Sequence, residues 1–315
     1  MNNITVLNNL DDLMALPEGQ TTHATIGAFD GIHIGHQALI RRTVETAQAA
    51  DAIPAVLTFS NHPLSVLAPS YMPPRLTPDD LRVRLFEDLG LRLIVLIPFD
   101  RAVANLSAEV FIREILAQRL RARHVVCGYD FQFGQGGSGN VETLSLMGRQ
   151  FGISVECMEP VKIRGIVVSS TKIREMVTQG MVATAAEFLG RPYSIRGCVI
   201  KGFGRGRHLS YPTANLEPRD DLLIPAYGVY AVRVIIDNHS YNGMMSIGTN
   251  PTFEPQHFSI EAHLFDFDGD LVDRTIEIYF IQRLRMEMKF DGAEALVEQL
   301  RRDEQYARRF LARPG

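Results

Sequence analysis

The spacing of apolar residues changes between residues 184 and 190, which divides the chain into two stretches. In the first stretch, short apolar runs alternate with segments of helical periodicity, a pattern that predicts βα units. The predicted strands cover 23–29, 52–59, 91–99, 123–129 and 153–161. The predicted helices between them cover 36–50, 78–90 and 107–120.

This alternation predicts a Rossmann-like α/β domain over residues 1–186. Right-handed crossovers would place helices on both faces of a parallel sheet, and ligands would bind at the carboxyl ends of its strands. Phe29, Phe59 and Tyr129 lie at such ends.

The second stretch, 187–315, alternates apolar and polar residues with period two, as half-buried antiparallel strands do. The predicted strands, 193–202, 227–237, 239–248, 257–267 and 274–285, would form a small β-barrel. After Gly292, four apolar residues recur at helical spacing: Leu296, Leu300, Ala307 and Phe310. They predict a C-terminal amphipathic helix that packs on the barrel and turns its charged residues to solvent.

Composition narrows the classes of partner. A chain of 315 residues suits two domains, and its net charge of -4 gives no bulk attraction to nucleic acid or anionic lipid. We therefore expect small-molecule substrates and no nucleic-acid or membrane partner, while the oligomeric state stays open. Three cysteines without a CxxC pair argue against a disulfide framework and a zinc site. With no leader pattern and no apolar run of membrane-spanning length, we expect a cytoplasmic protein.

A first candidate site follows the first predicted strand. His33 and His36 lie at the start of a predicted helix near Gly35, and Gly27 and Gly31 precede them. A helix N-terminus attracts phosphate oxygens, glycines allow a close backbone approach, and two imidazoles can stabilise charge during phosphoryl attack. An isolated HxxH would more often be two surface histidines, but the strand-turn-helix context favours a phosphate site.

A second segment can serve the same chemistry. Ser169, Ser170 and Thr171 begin another predicted helix, and Arg174 follows one turn later, where its guanidinium could bind phosphate. Taken alone, this segment is more typical of an ordinary capped helix with a surface arginine.

Together these two segments resemble the HxGH nucleotidyltransferase superfamily, in which a phosphorylated acceptor attacks the α-phosphate of ATP. The resemblance implies that His33 and His36 contact nucleotide phosphates and that Ser170 through Arg174 hold the β- and γ-phosphates. Catalysis would then depend on positioning, Mg²⁺ and electrostatic stabilisation.

Two further motifs resemble those of prokaryotic FAD synthetases: LTFSNHP at 57–63 and GYDFQFG at 128–134. Asn61 replaces a more usual proline and Ser60 an acidic residue. Phe131 and Phe133 are equally compatible with flavin contact and core packing. The resemblance implies flavin contact at Asp130, and nucleotide contacts at Gly27, Phe29, Asp30, Gly35, Asn61, Asp130, Ser169, Ser170, Thr171 and Arg174.

The second stretch has its own candidate phosphate site. A glycine-rich basic loop, GFGRGR at 202–207, precedes Pro212, Thr213, Ala214 and Asn215. Its backbone could wrap phosphates, and the Thr and Asn oxygens suit Mg²⁺. Without family knowledge, a β-turn with scattered arginines is the more common interpretation.

Glu261 is a charged residue in an otherwise apolar predicted strand, where a carboxylate could accept the proton of an attacking hydroxyl. The strand pattern alone slightly favours a residue that simply faces solvent, because one face holds His257, Ser259, Glu261 and His263.

Residues 188 to 291 resemble riboflavin kinase, with Ser210 replacing a usual glycine and Val272 and Asp273 replacing a common Tyr-Gly pair. The resemblance implies that Glu261 is the base acting on the riboflavin 5′-hydroxyl. It also implies Mg²⁺ ligands at Thr213 and Asn215 and flavin contacts at Arg285 and Glu287. The implied nucleotide contacts are Lys201, Gly202, Gly206, Thr213 and Asn215.

In this order, the two resemblances identify the chain as a member of the bifunctional bacterial riboflavin kinase/FAD synthetase family. They imply that ATP and riboflavin give FMN in the C-terminal domain, and that ATP and FMN give FAD in the N-terminal domain. Two alternatives remain at this point. Given the substitutions at Ser60, Val272 and Asp273, only one domain could be active, for instance as an adenylyltransferase for another phosphorylated acceptor. Alternatively, the barrel could be a non-enzymatic RNA-binding or interaction module attached to a nucleotide sensor.

Overall fold

The computed structural model describes residues 4–15, 19–202, 211–218, 221–249 and 258–312. The chain divides into two compact units, one formed by Met1–Pro73 and Pro78–Ser169, the other by Pro74–Thr77 and Ser170–Gly315. The domain boundary that the sequence indicates, at 186/187, stays a prediction.

The first unit is an α/β unit. Its strands are β1 (Thr5–Leu7), β2 (Thr22–Ile26), β3 (Ile53–Phe59), β4 (Leu93–Ile97), β5 (Ala122–Gly128), β6 (Gln132–Phe133), β7 (Gly139–Asn140), β8 (Ser154–Met158), β9 (Lys162–Ile163) and β10 (Ile166–Val167). Its α-helices are α1 (Ile34–Ala49), α2 (Leu64–Leu67), α3 (Asp79–Asp88), α4 (Arg101–Ala104), α5 (Ala108–Val110) and α6 (Val141–Gly148). A π-helix over Phe111–Arg119 continues α5, and short 3₁₀ segments cover Asp11–Ala15, Pro69–Tyr71, Gln135–Gly137 and Arg149–Phe151.

Six of these strands form one parallel sheet in the order β1-β4-β3-β2-β5-β8. The five predicted strands correspond to β2, β3, β4, β5 and β8, which confirms the α/β prediction. On one face of the sheet, Ile40 of α1 and Phe86 of α3 pack with Val56 and Ile94. On the other face, Ile112 and Leu144 join a second apolar cluster. Helices therefore cover both faces, as predicted.

The second unit is built around a barrel. Its strands are β11 (Tyr193–Ile200), β12 (Ala214–Pro218), β13 (Gly228–Ile236), β14 (His239–Gly248), β15 (Ser259–Leu264) and β16 (Thr275–Arg285). Its helices are α7 (Ser170–Thr178), α8 (Val182–Leu189) and α9 (Ala293–Leu311). The strands close in the antiparallel order β11-β12-β15-β14-β13-β16.

The C-terminal helix packs on this barrel, as the apolar spacing predicted. Ala307 and Leu311 of α9 are buried with Ala231, Met244 and Phe265. The barrel contains one strand that the sequence did not predict, β12, and it includes the candidate residue Asn215. The antiparallel barrel and its terminal helix are otherwise as expected.

Candidate functional site

The helix start predicted near Gly35 begins at Ile34, with His33 as the N-cap. His33 has extended backbone angles, and its Nδ1 accepts a hydrogen bond from the backbone N–H of His36 at 3.2 Å. Because Nδ1 is the acceptor, a neutral His33 ring carries its proton on Nε2 and can donate there. His33 is 6% exposed, so it is not the surface histidine of the alternative interpretation.

The two imidazoles act as one stacked unit. The His33 and His36 rings lie 3.6 Å apart between centroids at an interplanar angle of 15°, and Phe29 meets the His36 ring edge-on at 5.0 Å. Phe29 adopts a positive φ of 49°, which a bulky residue tolerates only when its surroundings fix it. The buried Asp30 lies in the same turn. The turn and the first turn of α1 thus bring three aromatic rings into contact.

The glycines of this segment leave space for neighbouring aromatic rings of the protein. A Cβ on Gly35 would lie 3.2 Å from the His33 ring, and one on Gly27 would lie 3.3 Å from the Phe29 ring. Gly31 has a φ of 88°, which favours glycine. Gly27 and Gly35 therefore leave room for the stacked rings.

Asn61 is a clamp between two strand ends. Its Oδ1 accepts from the backbone N–H of Phe99 at 2.7 Å, and its Nδ2 donates to the Phe99 carbonyl and to Ser65 Oγ, both at 2.9 Å. The side chain therefore fixes the loop after β3 against the loop after β4. The motif predicted a nucleotide contact at Asn61 and gave no signal for this bridge.

The motif after β5 splits between surface and core. Asp130 is exposed, where a ligand can reach it. Phe133 is 8% exposed and packs with Phe111 at 5.3 Å, while Phe131 is half-buried and stacks on Phe133 at 5.4 Å. Phe133 is thus a core residue, and only Phe131 of the pair keeps a partly open face.

The candidate phosphate segment at Ser169 begins α7 as predicted. The helix starts at Ser170 and belongs to the second unit, whereas Ser169 belongs to the first. Thr171 is exposed, and Arg174 donates from Nε to the Pro74 carbonyl at 2.8 Å. That bond fixes the Arg174 stem.

The barrel brings three of its predicted site residues together. Asn215 of β12 is the direct cross-strand partner of Glu261 of β15. Thr213 Oγ1 donates to Glu261 Oε2 at 3.0 Å, and Ser259 Oγ donates to Oε1 at the same distance. Glu261 is partly buried, so it is not merely a solvated strand residue.

Neighbouring contacts hold this cluster in place. His263 Nδ1 lies 2.8 Å from the Pro212 carbonyl, and the Tyr211 ring meets the His263 ring at 5.0 Å. Gly202 lies so close to Asn215 that a Cβ there would be 2.0 Å from Nδ2. Lys201 is exposed beside it, while Gly206 lies outside the described residues.

Arg285 and Glu287 both have partners within the protein. Arg285 forms an ion pair with Asp303 of α9 at 2.8 Å, its Nη1 donates to the Met286 carbonyl, and Gln299 donates to the same Asp303. Glu287 Oε1 accepts from the Thr249 backbone N–H at 2.7 Å.

Asp303 is 4% exposed and was missed by the sequence analysis. Its signal was present, since it falls on the apolar stripe of α9 between Leu300 and Ala307.

Neither a metal-binding cluster nor a membrane-spanning helix is present among the residues that the structure describes. Over these residues, His, Cys, Asp and Glu side chains form no group of three or more that could hold a metal ion. Within the same part of the chain, every helix is too short or too polar to cross a membrane.

Comparison with known families gives two adjoining matches. Residues 16–172 match the family model of FAD synthetase, and residues 189–311 match that of riboflavin kinase. A bifunctional riboflavin kinase/FMN adenylyltransferase from Listeria monocytogenes is 37% identical over 91% of this chain and 92% of its own length. Proteins of the same description from Bacillus subtilis and Escherichia coli K12 are 36% and 34% identical over the same shares.

A solved structure shares the complete fold. It comes from Streptococcus pneumoniae, is described as a macrolide-efflux protein, and is 33% identical with a TM-score of 0.87. The match covers 97% of this chain and 98% of that one.

Proposed function

Because the chain belongs to the family of bifunctional riboflavin kinase/FMN adenylyltransferases, we propose how its residues divide the two reactions. The C-terminal domain, residues 187–315, phosphorylates riboflavin with ATP to give FMN. The N-terminal domain, residues 1–186, then transfers AMP from a second ATP to FMN, which gives FAD and pyrophosphate.

The contact between Thr213 and Glu261 carries the kinase assignment. A carboxylate that accepts a hydrogen bond on each oxygen is fixed in orientation and can serve as the acceptor of a substrate proton. Glu261 is the base: it takes the proton of the riboflavin 5′-hydroxyl as that oxygen attacks the γ-phosphorus of ATP. The bond from that phosphorus to the bridging oxygen breaks, and ADP leaves.

The oxygen donors next to Glu261 suit a hard cation. Thr213 and Asn215 would hold Mg²⁺, which prefers few protein ligands and keeps phosphate oxygens as the others. Bound there, Mg²⁺ would neutralise charge on the transferred phosphoryl group. Lys201, Gly202 and Gly206 contact the nucleotide in the same proposal.

The stacked histidines carry the adenylyl-transfer assignment. An ionised FMN phosphate oxygen attacks the α-phosphorus of ATP, the bond to the bridging oxygen breaks, and pyrophosphate leaves. This attack requires no protein base, because the phosphate nucleophile has already lost its proton. His33, donating from Nε2, and His36 stabilise negative charge on the phosphates as the transition state forms.

Other residues of the adenylyl-transfer reaction have narrower roles. Gly27, Phe29, Asp30 and Gly35 form the turn that receives ATP. Ser169, Ser170, Thr171 and Arg174 bind its phosphates, and Asp130 contacts nucleotide or flavin. Asn61 contributes by holding the β3 and β4 loops together.

Arg285 and Glu287 are proposed flavin residues that also brace their surroundings. Arg285 ties the end of β16 to α9, and Glu287 holds the backbone at Thr249. Flavin binding at Arg285 and Glu287 would therefore also depend on the end of β16, on α9 and on the backbone at Thr249, which these side chains hold. We also propose a cytoplasmic location, which the dependence of both reactions on ATP supports. The proposed boundary between the two domains lies at 186/187.

The first experiment is a time course with purified protein, riboflavin, ATP and Mg²⁺, with flavins separated by chromatography. FMN should rise and then give way to FAD, and a parallel sample with a chelator should form neither. Accumulation of FMN without FAD would contradict the adenylyl-transfer assignment. Failure to form any product, with supplied FMN also refused, would overturn the flavin assignment as a whole.

A further inference from the structure

Arg82 is a buried arginine that none of the sequence motifs includes. It lies in the first turns of α3 and is 4% exposed. Its guanidinium forms an ion pair with Asp79, one turn earlier on the same helix, at 2.8 Å. An arginine is rarely buried unless it is paired and hydrogen-bonded, so its remaining partners show what it does.

Its partners include two backbone carbonyls at the ends of neighbouring strands. Nη1 donates to the Ala28 carbonyl at 3.0 Å, and Nη2 donates to the Phe59 carbonyl at 2.5 Å. Thr58 Oγ1 also donates to the Ala28 carbonyl, at 3.3 Å. One rigid, planar group thus fixes the distance between the chain leaving β2 and the chain leaving β3.

Both carbonyls adjoin residues of the candidate adenylyl-transfer site. Ala28 lies between Gly27 and Phe29, directly before the turn that leads to His33. Phe59 is the last residue of β3, two positions before Asn61. A shift of Ala28 would move the Phe29 ring, on which the His36 ring rests.

We propose that Arg82 is a positioning residue for adenylyl transfer, because its guanidinium sets the spacing of the two loops that receive ATP and FMN. This inference rests on the proposed function of the first unit. Arg82 touches no reacting atom in this role. It acts through the backbone at Ala28 and Phe59, and so through the placement of Phe29 and the stacked histidines.

The geometry explains why arginine is needed at this position. A lysine ammonium is a point charge on a flexible stem and could satisfy Asp79 and one carbonyl, but it has no planar fork for two carbonyls on separate strands. A misplacement on the order of 1 Å near reacting groups can cost about a hundredfold in rate. Arg82→Lys would therefore keep the charge and lose the spacing.

The test uses the full chain and measures both reactions. Arg82→Lys should raise the KM for ATP in FMN adenylylation about tenfold and lower kcat/KM about a hundredfold, with riboflavin phosphorylation unchanged. A purely structural role would reduce the folded fraction and hence kcat, but would leave the KM for ATP as it was. Arg113→Lys is the matched control, because Arg113 pairs with Glu109 and Glu114 at the surface of the same unit.

A second variant protects the test against misfolding. Thr58→Val keeps the side-chain shape and removes only the other donor to the Ala28 carbonyl. It should raise the same KM by about two- to fivefold, in line with the loss of one neutral hydrogen bond. If wild-type protein adenylylates FMN and both variants keep the wild-type KM for ATP, Arg82 has no positioning role. If Arg82→Lys fails to fold, an unchanged KM in Thr58→Val is sufficient to overturn the inference. Wild-type protein that makes no FAD would instead refute the proposed function.

Discussion

The two units position their candidate chemistry by different means. In the α/β unit, His33, His36 and Asn61 lie beyond the carboxyl ends of parallel strands. In the barrel, Asn215 and Glu261 lie inside paired strands and face each other across the ladder. A strand residue is placed by backbone hydrogen bonds, whereas a loop residue needs side-chain clamps such as Asn61 and Arg82. The loop site is therefore the one that depends on distant side chains.

This difference predicts two kinds of sensitivity. Replacing a reacting group should stop one reaction in either unit. Replacing a remote polar residue should affect adenylyl transfer more than phosphorylation, because strand register already fixes Asn215 opposite Glu261 in the barrel.

The largest effect is expected for Glu261→Gln. The substitution keeps the shape of the side chain and removes the base, so riboflavin phosphorylation should fall by about 10²- to 10⁴-fold. FAD formation from supplied FMN should remain. Initial rates of each reaction, measured with its own acceptor, check this. Glu217→Gln, at an exposed position of β12, is the matched control. Loss of both reactions in folded protein would show that the two sites are not separate.

His36→Ala should have the next largest effect, and it should impair FMN adenylylation instead of riboflavin phosphorylation. Removal of one charge-stabilising donor typically costs about 10²- to 10³-fold, so FMN adenylylation should fall by that factor while riboflavin phosphorylation is spared. The His33 cap survives, because its partner is the backbone N–H of residue 36. Gln48→Ala, exposed near the end of α1, serves as the control. Adenylylation within threefold of wild type would remove His36 from the mechanism.

The smallest effect concerns the sheet itself. His23 of β2 is 8% exposed, and its ring lies 5.1 Å from that of His124 on β5, which also lies near Glu156 of β8. Burial, with a smaller contribution from His124, lowers the pKa of His23 below its usual value. The unfolded chain therefore binds a proton below about pH 6.5 that the folded chain resists. The resulting loss of stability begins there and grows as the pH falls toward the lowered pKa.

Replacing His23 should flatten this dependence. In His23→Val, the midpoint of thermal unfolding should decline less between pH 7 and pH 5.5 than in wild type. His239→Gln, in an exposed position of the barrel, should keep the wild-type slope. Equal slopes for His23→Val and wild type would mean that the burial of His23 does not couple to protonation.

The fold followed from the sequence wherever apolar runs were long. Strands β3 and β4 are almost entirely buried, and both were predicted within a few residues. Strand β1 was missed because it has three residues, two of them exposed. Strand β12 was missed because Asn215, Glu217 and Pro218 make it polar and the segment was interpreted as a phosphate loop. The position of β12 in the barrel is set by its pairing with β11 and β15.

For the candidate sites, the sequence indicated candidate reacting groups and gave no indication of the residues that support them. The position of His33 before a helix follows from local order along the chain. Arg82 does not, because its partner Ala28 is 54 residues away and a sequence does not mark which buried carbonyl needs a donor. The backbone conformation at Asp273 was also not evident from the sequence. Asp273 has a φ of 64°, a left-handed conformation that aspartate accepts more readily than most residues. The Gly-to-Asp replacement noted in the sequence therefore fits its turn.

The closure of the barrel sets an order of events during synthesis. Strand β11 pairs with β16, so the seam between them forms only after residues 275–285 have left the ribosome. Translation at about 5 to 20 residues per second leaves that edge of β11 without its partner for several seconds after it emerges. The α/β unit, encoded upstream, can complete its sheet in the meantime. The nascent chain would then gain the capacity to make FAD before the capacity to make FMN.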